Sequence, residues 1–177
     1  MSEKTRKELP FNIFLIGFMG AGKSTVASYM QRHYSMPLIE MDEALVEREG
    51  MTIPEIFAQK GELYFRQAET DFLKEIQEKT NVIVSCGGGV AMRQENVEIM
   101  KKCGKIVLLS ASPESILERV KNDENRPLLK GRKTVEGIQE LMDARRPYYE
   151  AAADLVVRTD TQSLYAICRE IFDKLEA

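Results

Sequence analysis

The chain has 177 residues, of which 44% are hydrophobic and 30% charged, and its formal net charge is −3. This composition indicates one globular domain over residues 1–177, and it gives no electrostatic reason to expect nucleic acid or an anionic membrane as a partner. No apolar run reaches the roughly 18 residues of a membrane span, the three cysteines lack the pairing of a disulfide or zinc site, and residues 1–10 show no secretory signal, so we expect a cytoplasmic protein. Nothing in the sequence suggests an obligate dimer face, so we expect a monomer.

Strand and helix patterns alternate along the chain. Short apolar runs predict strands at residues 12–16, 38–39, 82–85, 105–109 and 154–157. Amphipathic segments predict helices at residues 23–33, 42–48, 53–60, 62–78, 94–103, 112–121, 134–151 and 163–175. Strands that are separated by helices are typical of a parallel sheet covered on both faces. The helical stretch between the second and third strands is too long for a simple crossover, so we expect a helical insert at about residues 40–79.

The first strand leads directly into a glycine-rich loop. Residues 17–24 read GFMGAGKS and match G-x-x-x-x-G-K-[ST], with a strand before the motif and a helix after it. Backbone N–H groups of such a loop surround the phosphates of a nucleotide, and the helix N-terminus adds a partial positive charge. Lys23 can reach the β- and γ-phosphates and Ser24 can bind Mg²⁺. A chance glycine-rich turn is the alternative, and the flanking elements disfavour it.

Two carboxylates follow the second strand. The third and fourth strands do not end in an aspartate that could help to hold Mg²⁺, so Glu40 and Asp42 are the nearest strand-end acids. One could serve the water shell of the metal and the other the hydroxyl group of an acceptor. Capping of the following helix is the alternative interpretation, and Asp42 would suit it well.

Three glycines follow the third strand in the segment Cys86-Gly87-Gly88-Gly89. At the carboxyl end of a strand they allow backbone N–H groups to approach a ligand, although a tight turn is the alternative. We interpret Cys86 as a buried apolar residue rather than a reactive thiol.

Arginines and a polar loop complete the candidate site. Arg66 lies in the helical insert, Arg126 in a polar loop, and Arg145 in a late helix. Guanidinium groups bind carboxylates and phosphates at two points, although any one of these arginines could be a solvated surface residue. Residues 122–133 are polar and contain proline and glycine, which favours either a mobile lid or a plain surface connection.

Taken together, these motifs resemble those of the shikimate kinases from about residue 11 to residue 175. The segments that carry the resemblance are the phosphate loop at residues 17–25, Met41-Asp42, GELYFR at residues 61–66 with Glu69, the triple glycine at 87–89, NRPLL at 125–129 and RRPYY at 145–149. The phosphate loop occurs in many families, whereas the arginine segments together with the glycine triplet are much more specific.

The resemblance implies transfer of a phosphoryl group from ATP to the 3-hydroxyl of shikimate, with Mg²⁺ as cofactor. The catalytic residues it implies are Lys23, Asp42 and Arg126. The shikimate-binding residues it implies are Asp42, Arg66, Gly88 and Arg145. The nucleotide-binding residues it implies are Gly20, Ala21, Gly22, Lys23, Ser24, Thr25, Arg119, Arg126 and Gln162. Ser24 is the metal ligand that it implies.

The resemblance also implies an α/β P-loop kinase fold, with a five-stranded parallel sheet in the order 2-3-1-4-5. Residues 40–79 would form the substrate-binding insert and residues 122–133 the lid. One departure concerns Glu40, because the family usually has aspartate there. Glutamate is one methylene longer, which favours a contact to metal-bound water over direct ligation.

Two other functions stay open on the sequence. Another small-molecule kinase with a phosphate loop, acting on gluconate or a nucleoside monophosphate, would share the phosphate loop and the lid. A nucleotide-gated regulatory module would need no acceptor, and the acidic and basic candidate residues disfavour it.

Overall fold

A computed structural model describes residues 6–123, 129 and 131–177. Its centre is a five-stranded sheet in the order β2-β3-β1-β4-β5, and all of its strand pairs are parallel. The strands are β1 (Asn12–Ile16), β2 (Leu38–Glu40), β3 (Ile83–Ser85), β4 (Gly104–Ser110) and β5 (Leu155–Arg158). The predicted fold class and strand order are therefore confirmed.

Helices cover both faces of the sheet. They are α1 (Lys23–Tyr34), α2 (Met41–Glu49), α3 (Ile53–Lys60), α4 (Glu62–Ile76), α5 (Gln94–Cys103), α6 (Pro113–Val120), α7 (Val135–Ala152) and α8 (Leu164–Leu175). A short 3₁₀ turn, Val90–Met92, follows β3. The predicted helices agree with these bounds to within a residue or two, and α2 to α4 lie between β2 and β3 in the chain. Among the described residues, no helix has the length and apolarity needed to cross a bilayer.

The central strand β1 is buried on both faces, which explains its continuous apolar sequence. Phe14 and Ile16 belong to one hydrophobic core, which lies under α2 to α7, whereas Ile13 and Leu15 belong to a second core, which lies under α1 and α8. Cys86 is 3% exposed and belongs to the first core, as expected from its position after an apolar strand.

The strand order places a ligand site at the carboxyl end of β1. This strand lies between β3 on one side and β4 on the other, so the chain leaves the centre of the sheet in two directions. Crevices that open at such a switch point are where α/β sheets bind ligands. The chain leaves β1, β2 and β3 at this edge, where the phosphate loop follows β1, the two acids lie at the junction of β2 and α2, and the glycine triplet follows β3.

Candidate active site

The phosphate loop joins β1 to α1 in a conformation suited to binding an anion. Gly22 has a φ of 105°, in the left-handed region that glycine favours, and it immediately precedes α1. No side chain caps α1, so N–H groups of its first turn are available to a phosphate. Lys23 Nζ donates hydrogen bonds to the carbonyl oxygens of Gly17 at 2.7 Å and Phe18 at 3.1 Å. The ammonium group is thus held at the loop where phosphates would enter.

Ser24 and Glu40 form a second polar contact beside the loop. Ser24 Oγ donates to Glu40 Oε2 at 3.1 Å. Burial raises the pKa of Glu40, while hydrogen bonds from Ser85 and Ser24 act in the opposite direction. Hydroxyl and carboxylate oxygens are the donors that Mg²⁺ prefers, so this pair is chemically suited to a hydrated magnesium ion.

Asp42 lies in the first turn of α2, but it is not the residue that caps this helix. The N-cap position belongs to Glu40, whose side chain makes no capping hydrogen bond. Met41 is fully buried in the core. Asp42, the next residue, lines a cavity at the carboxyl end of the sheet. The cap interpretation of Asp42 is therefore wrong, whereas an orientation toward the phosphate loop agrees with the structure.

The cavity at this edge of the sheet has a volume of about 560 Å³. The predicted site residues that line it are Gly20, Gly22, Lys23, Ser24, Thr25, Asp42, Gly88 and Arg119, together with Glu40. Such a volume accommodates a small-molecule ligand. The loop, the two acids and the middle glycine of the triplet therefore share one cavity.

Arg66 projects from α4 onto the last glycine of the triplet. A Cβ atom on Gly89 would lie 2.5 Å from Arg66 Nη1, so only glycine leaves room for the guanidinium. Glu69, one turn along α4, is fully buried and accepts a hydrogen bond from Arg66 Nη1 at 2.7 Å. Glu62 accepts a longer one from Arg66 Nη2 at 3.3 Å. Two acids on one helix therefore fix the orientation of this guanidinium.

Arg145 reaches the same segment from α7. Its Nη1 would lie 3.2 Å from a Cβ atom on Gly88, and it donates to Tyr149 Oη at 3.5 Å. The Tyr149 hydroxyl donates in turn to the Gly88 carbonyl oxygen. The Arg145 guanidinium also lies 5.8 Å from the centre of the Phe18 ring, within the range of a cation–π contact. The two arginines therefore flank neighbouring glycines from opposite helices.

The far end of the phosphate loop contacts α6 and the segment after β5. Arg119 Nη1 donates to the Gly20 carbonyl oxygen at 2.8 Å. Ala21 is buried, and its carbonyl oxygen accepts a hydrogen bond from Thr159 Oγ1. Gln162 bonds instead to Glu170 Oε2 at 3.0 Å, so the structure does not bring it to the cavity. Its nucleotide role stays a prediction.

Arg126 lies outside the described residues, as does half of the predicted lid at residues 122–133. Lys133, at the end of that segment, donates to the Asp123 carbonyl oxygen. The predicted roles of Arg126 and of the lid stay predictions.

Three residues of the site received no role from the sequence. Glu69 orients Arg66, Tyr149 joins Arg145 to the glycine triplet, and Thr159 joins the phosphate loop to β5. Glu69 and Tyr149 stand three and four residues after their arginines, which is the spacing of neighbours on one helix face, so helical spacing could have indicated both.

Comparison with known protein families identifies the family of this chain. The family model described as shikimate kinase matches residues 19–176, which is most of the chain. This chain belongs to the shikimate kinase family. A shikimate kinase of Dehalococcoides mccartyi is 40% identical to it over 164 residues, which are 93% of this chain and 93% of that protein. A shikimate kinase of Aquifex aeolicus is 43% identical over 146 residues, which are 82% of this chain and 85% of that protein.

Solved structures of shikimate kinases also resemble this chain. The enzyme from Acinetobacter baumannii, solved in complex with shikimate, has a TM-score of 0.88, is 31% identical, and aligns over 96% of this chain and 94% of its own. A gluconokinase from Sinorhizobium meliloti has a TM-score of 0.59 at 19% identity, which shows a shared fold alone. The chain is thus an ATP-using kinase of the shikimate kinase family.

Proposed function

We propose that this protein transfers the γ-phosphoryl group of ATP to the 3-hydroxyl of shikimate, giving shikimate 3-phosphate and ADP. The observation that carries the proposal is the approach of Arg66 and Arg145 to neighbouring glycines at the edge of the cavity that Asp42 lines. Two guanidinium groups beside one aspartate suit an acceptor that carries both a carboxylate and a hydroxyl.

The acceptor half of the proposed site consists of Asp42, Arg66, Gly88 and Arg145. The two arginines would bind the shikimate carboxylate, and the Gly88 N–H would donate to the same molecule. Asp42 would accept a hydrogen bond from the reacting hydroxyl and take its proton as the new bond forms. We assign this role to the insert at residues 40–79, which supplies Asp42 and Arg66.

The donor half consists of the phosphate loop and the residues around it. The loop residues are Gly20, Ala21, Gly22, Lys23, Ser24 and Thr25, and Arg119 contacts the loop from α6. Ser24 would bind Mg²⁺, and Glu40 would accept a hydrogen bond from water in the shell of the ion. When bound, Mg²⁺ neutralises charge on the β- and γ-phosphates.

Direct transfer follows from this arrangement of residues. In this proposal Ser24 Oγ, which donates to Glu40, serves as the magnesium ligand, and Cys86 is buried with its pKa raised by burial, so neither acts as a nucleophile. Positioning and positive charge therefore supply most of the catalysis, with Lys23 at the transferred phosphoryl group. Arg126, outside the described residues, would close over ATP and add a second positive charge.

An acceptor panel tests the proposal. The purified protein is mixed with ATP and Mg²⁺, and ADP release is measured with shikimate, with gluconate, with AMP and with no acceptor. We expect release above background with shikimate alone. Release with gluconate or AMP and none with shikimate would refute the proposed acceptor, whereas equal release without any acceptor would indicate a nucleotide-hydrolysing switch.

A further inference from the structure

We propose that Glu69 shares the proton of the acceptor hydroxyl with Asp42, acting as a positioning residue across Gly87. The inference rests on the proposed function, because it gives a part in the same transfer to a residue that does not touch the acceptor. The starting observation is one carboxylate oxygen, Glu69 Oε2, to which Arg66 makes no hydrogen bond.

Glu69 is held through only one of its two oxygens. Arg66 Nη1 donates to Oε1 at 2.7 Å, whereas Oε2 is buried and accepts no hydrogen bond from any residue that the structure describes. The Glu69 side chain is 0% exposed, so bulk water does not solvate this oxygen. A buried carboxylate oxygen without a partner is costly, and it indicates a proton or an ordered water in the functioning protein.

The unused oxygen faces Asp42. A Cβ atom on Gly87 would lie 2.7 Å from Glu69 Oε2 and 2.9 Å from Asp42 Oδ1, so the two oxygens are at most about 5.6 Å apart. One water molecule with two ordinary hydrogen bonds of about 2.8 Å spans that separation. Because Gly87 has no side chain, a proton can pass between the two carboxylates, directly or through one water.

The charged groups around Glu69 favour one bound proton on the two carboxylates of Glu69 and Asp42. The charged and titratable groups that face Glu69 are Arg66 on α4, Asp42 on α2, Arg145 on α7 and Cys86 after β3, whereas Glu62 contacts Arg66. Burial raises the pKa of Glu69 to about 7, Arg66 and Arg145 lower it, and the Asp42 charge raises it. Two neighbouring carboxylates resist ionising together, so the nearby Asp42 charge adds to the raised pKa of Glu69.

The fate of the acceptor proton during the transfer defines the roles of Asp42 and Glu69. The acceptor oxygen forms its bond to phosphorus, the bond between phosphorus and the bridging oxygen of ATP breaks, and ADP leaves with that electron pair. The acceptor proton moves to Asp42. With Glu69 ionised nearby, Asp42 holds this proton more tightly and is a stronger base. We therefore expect kcat to rise with pH through a midpoint near 7.

Glu69→Gln tests this inference, because glutamine keeps the size of the side chain and removes its titration. The matched control is Glu62→Gln, which also loses a carboxylate partner of Arg66 but is far more exposed. kcat is measured at saturating shikimate and ATP from pH 5.5 to 9. We expect Glu69→Gln to lose the rise near pH 7 and to fall about tenfold below the parent at pH 8. Glu62→Gln should keep the rise.

Each alternative outcome has a clear meaning. If Glu69 only orients Arg66, Glu69→Gln will raise the KM for shikimate and keep the parental pH profile of kcat, which overturns the inference. Infrared difference spectra of the unsubstituted protein provide a readout that does not depend on enzymatic activity. The C=O stretch of a buried carboxylic acid should vanish as the pH rises through 7, and its absence at low pH would also overturn the inference. Failure of the unsubstituted protein to phosphorylate shikimate would instead refute the proposed function.

Discussion

Gly89→Ala tests the contribution of Arg66 to shikimate binding separately from the rest of the proposed site. The backbone at Gly89 has φ −96° and ψ 0°, which alanine adopts without strain, so the new methyl group acts only through its contacts. That methyl would lie 2.5 Å from Arg66 Nη1, where ordinary contact begins at 3.4 Å, so the guanidinium must withdraw by about 1 Å. This shift moves Arg66 away from the proposed position of the shikimate carboxylate.

The magnitude follows from the contact that is lost. A hydrogen bond to a charged group contributes about 2 kcal/mol, which corresponds to about thirtyfold in affinity. We therefore expect Gly89→Ala to raise the KM for shikimate about thirtyfold while the KM for ATP stays within about twofold.

A double-mutant cycle supplies the control for Gly89→Ala. Adding it to Arg66→Ala should change the shikimate KM little, because the guanidinium that the methyl displaces is already gone. Steady-state kinetics with each substrate varied in turn, and urea unfolding of each variant, complete the assay. A parental shikimate KM in a folded Gly89→Ala protein would refute the role of Arg66, and so would additive effects in the cycle.

Three further predictions concern the phosphate loop, the metal and the buried acid. Lys23→Ala should lower kcat at least about hundredfold through the loss of one preorganised donor. A near-normal rate of phosphoryl transfer, measured in single-turnover assays, would contradict the mechanism. Ser24→Ala should weaken Mg²⁺ binding to the complex with ADP about tenfold by calorimetry, and unchanged affinity would exclude Ser24 as a ligand. Folding raises the pKa of Glu69 from 4.5 to about 7, so its contribution to stability is full below pH 4.5 and is lost as the pH rises through 7. The difference in unfolding free energy between the parent and Glu69→Gln should therefore change by about 3 kcal/mol over that window in urea titrations, and a constant difference would contradict the shifted pKa.

The sequence predicted those parts of the molecule that local patterns encode. The five strands and the phosphate loop each leave a signature within a few adjacent residues, whereas the strand order was predicted from the resemblance alone. Asp42 was harder, because an acid after a strand suits both a helix cap and a site. Only the structure shows that Glu40 occupies the cap position.

The supporting contacts could not be predicted in the same way. Tyr149 reaches the Gly88 carbonyl across 61 positions, and Thr159 reaches Ala21 across 138 positions. No local pattern marks pairs that only the packing of α7 and β5 against the loop brings together. Gln162 shows the converse, since it follows closely after Thr159, which contacts the loop, but its amide bonds to Glu170.

Phosphorus NMR of the reaction product tests the central claim most directly. The protein is incubated with ATP, Mg²⁺ and shikimate, and the ¹H-coupled ³¹P spectrum is recorded as ATP is consumed. The proposed function predicts one new phosphate monoester signal, coupled to the proton on carbon 3 of shikimate, that grows in step with ADP. A signal from inorganic phosphate alone, or an ester at another hydroxyl, would contradict it.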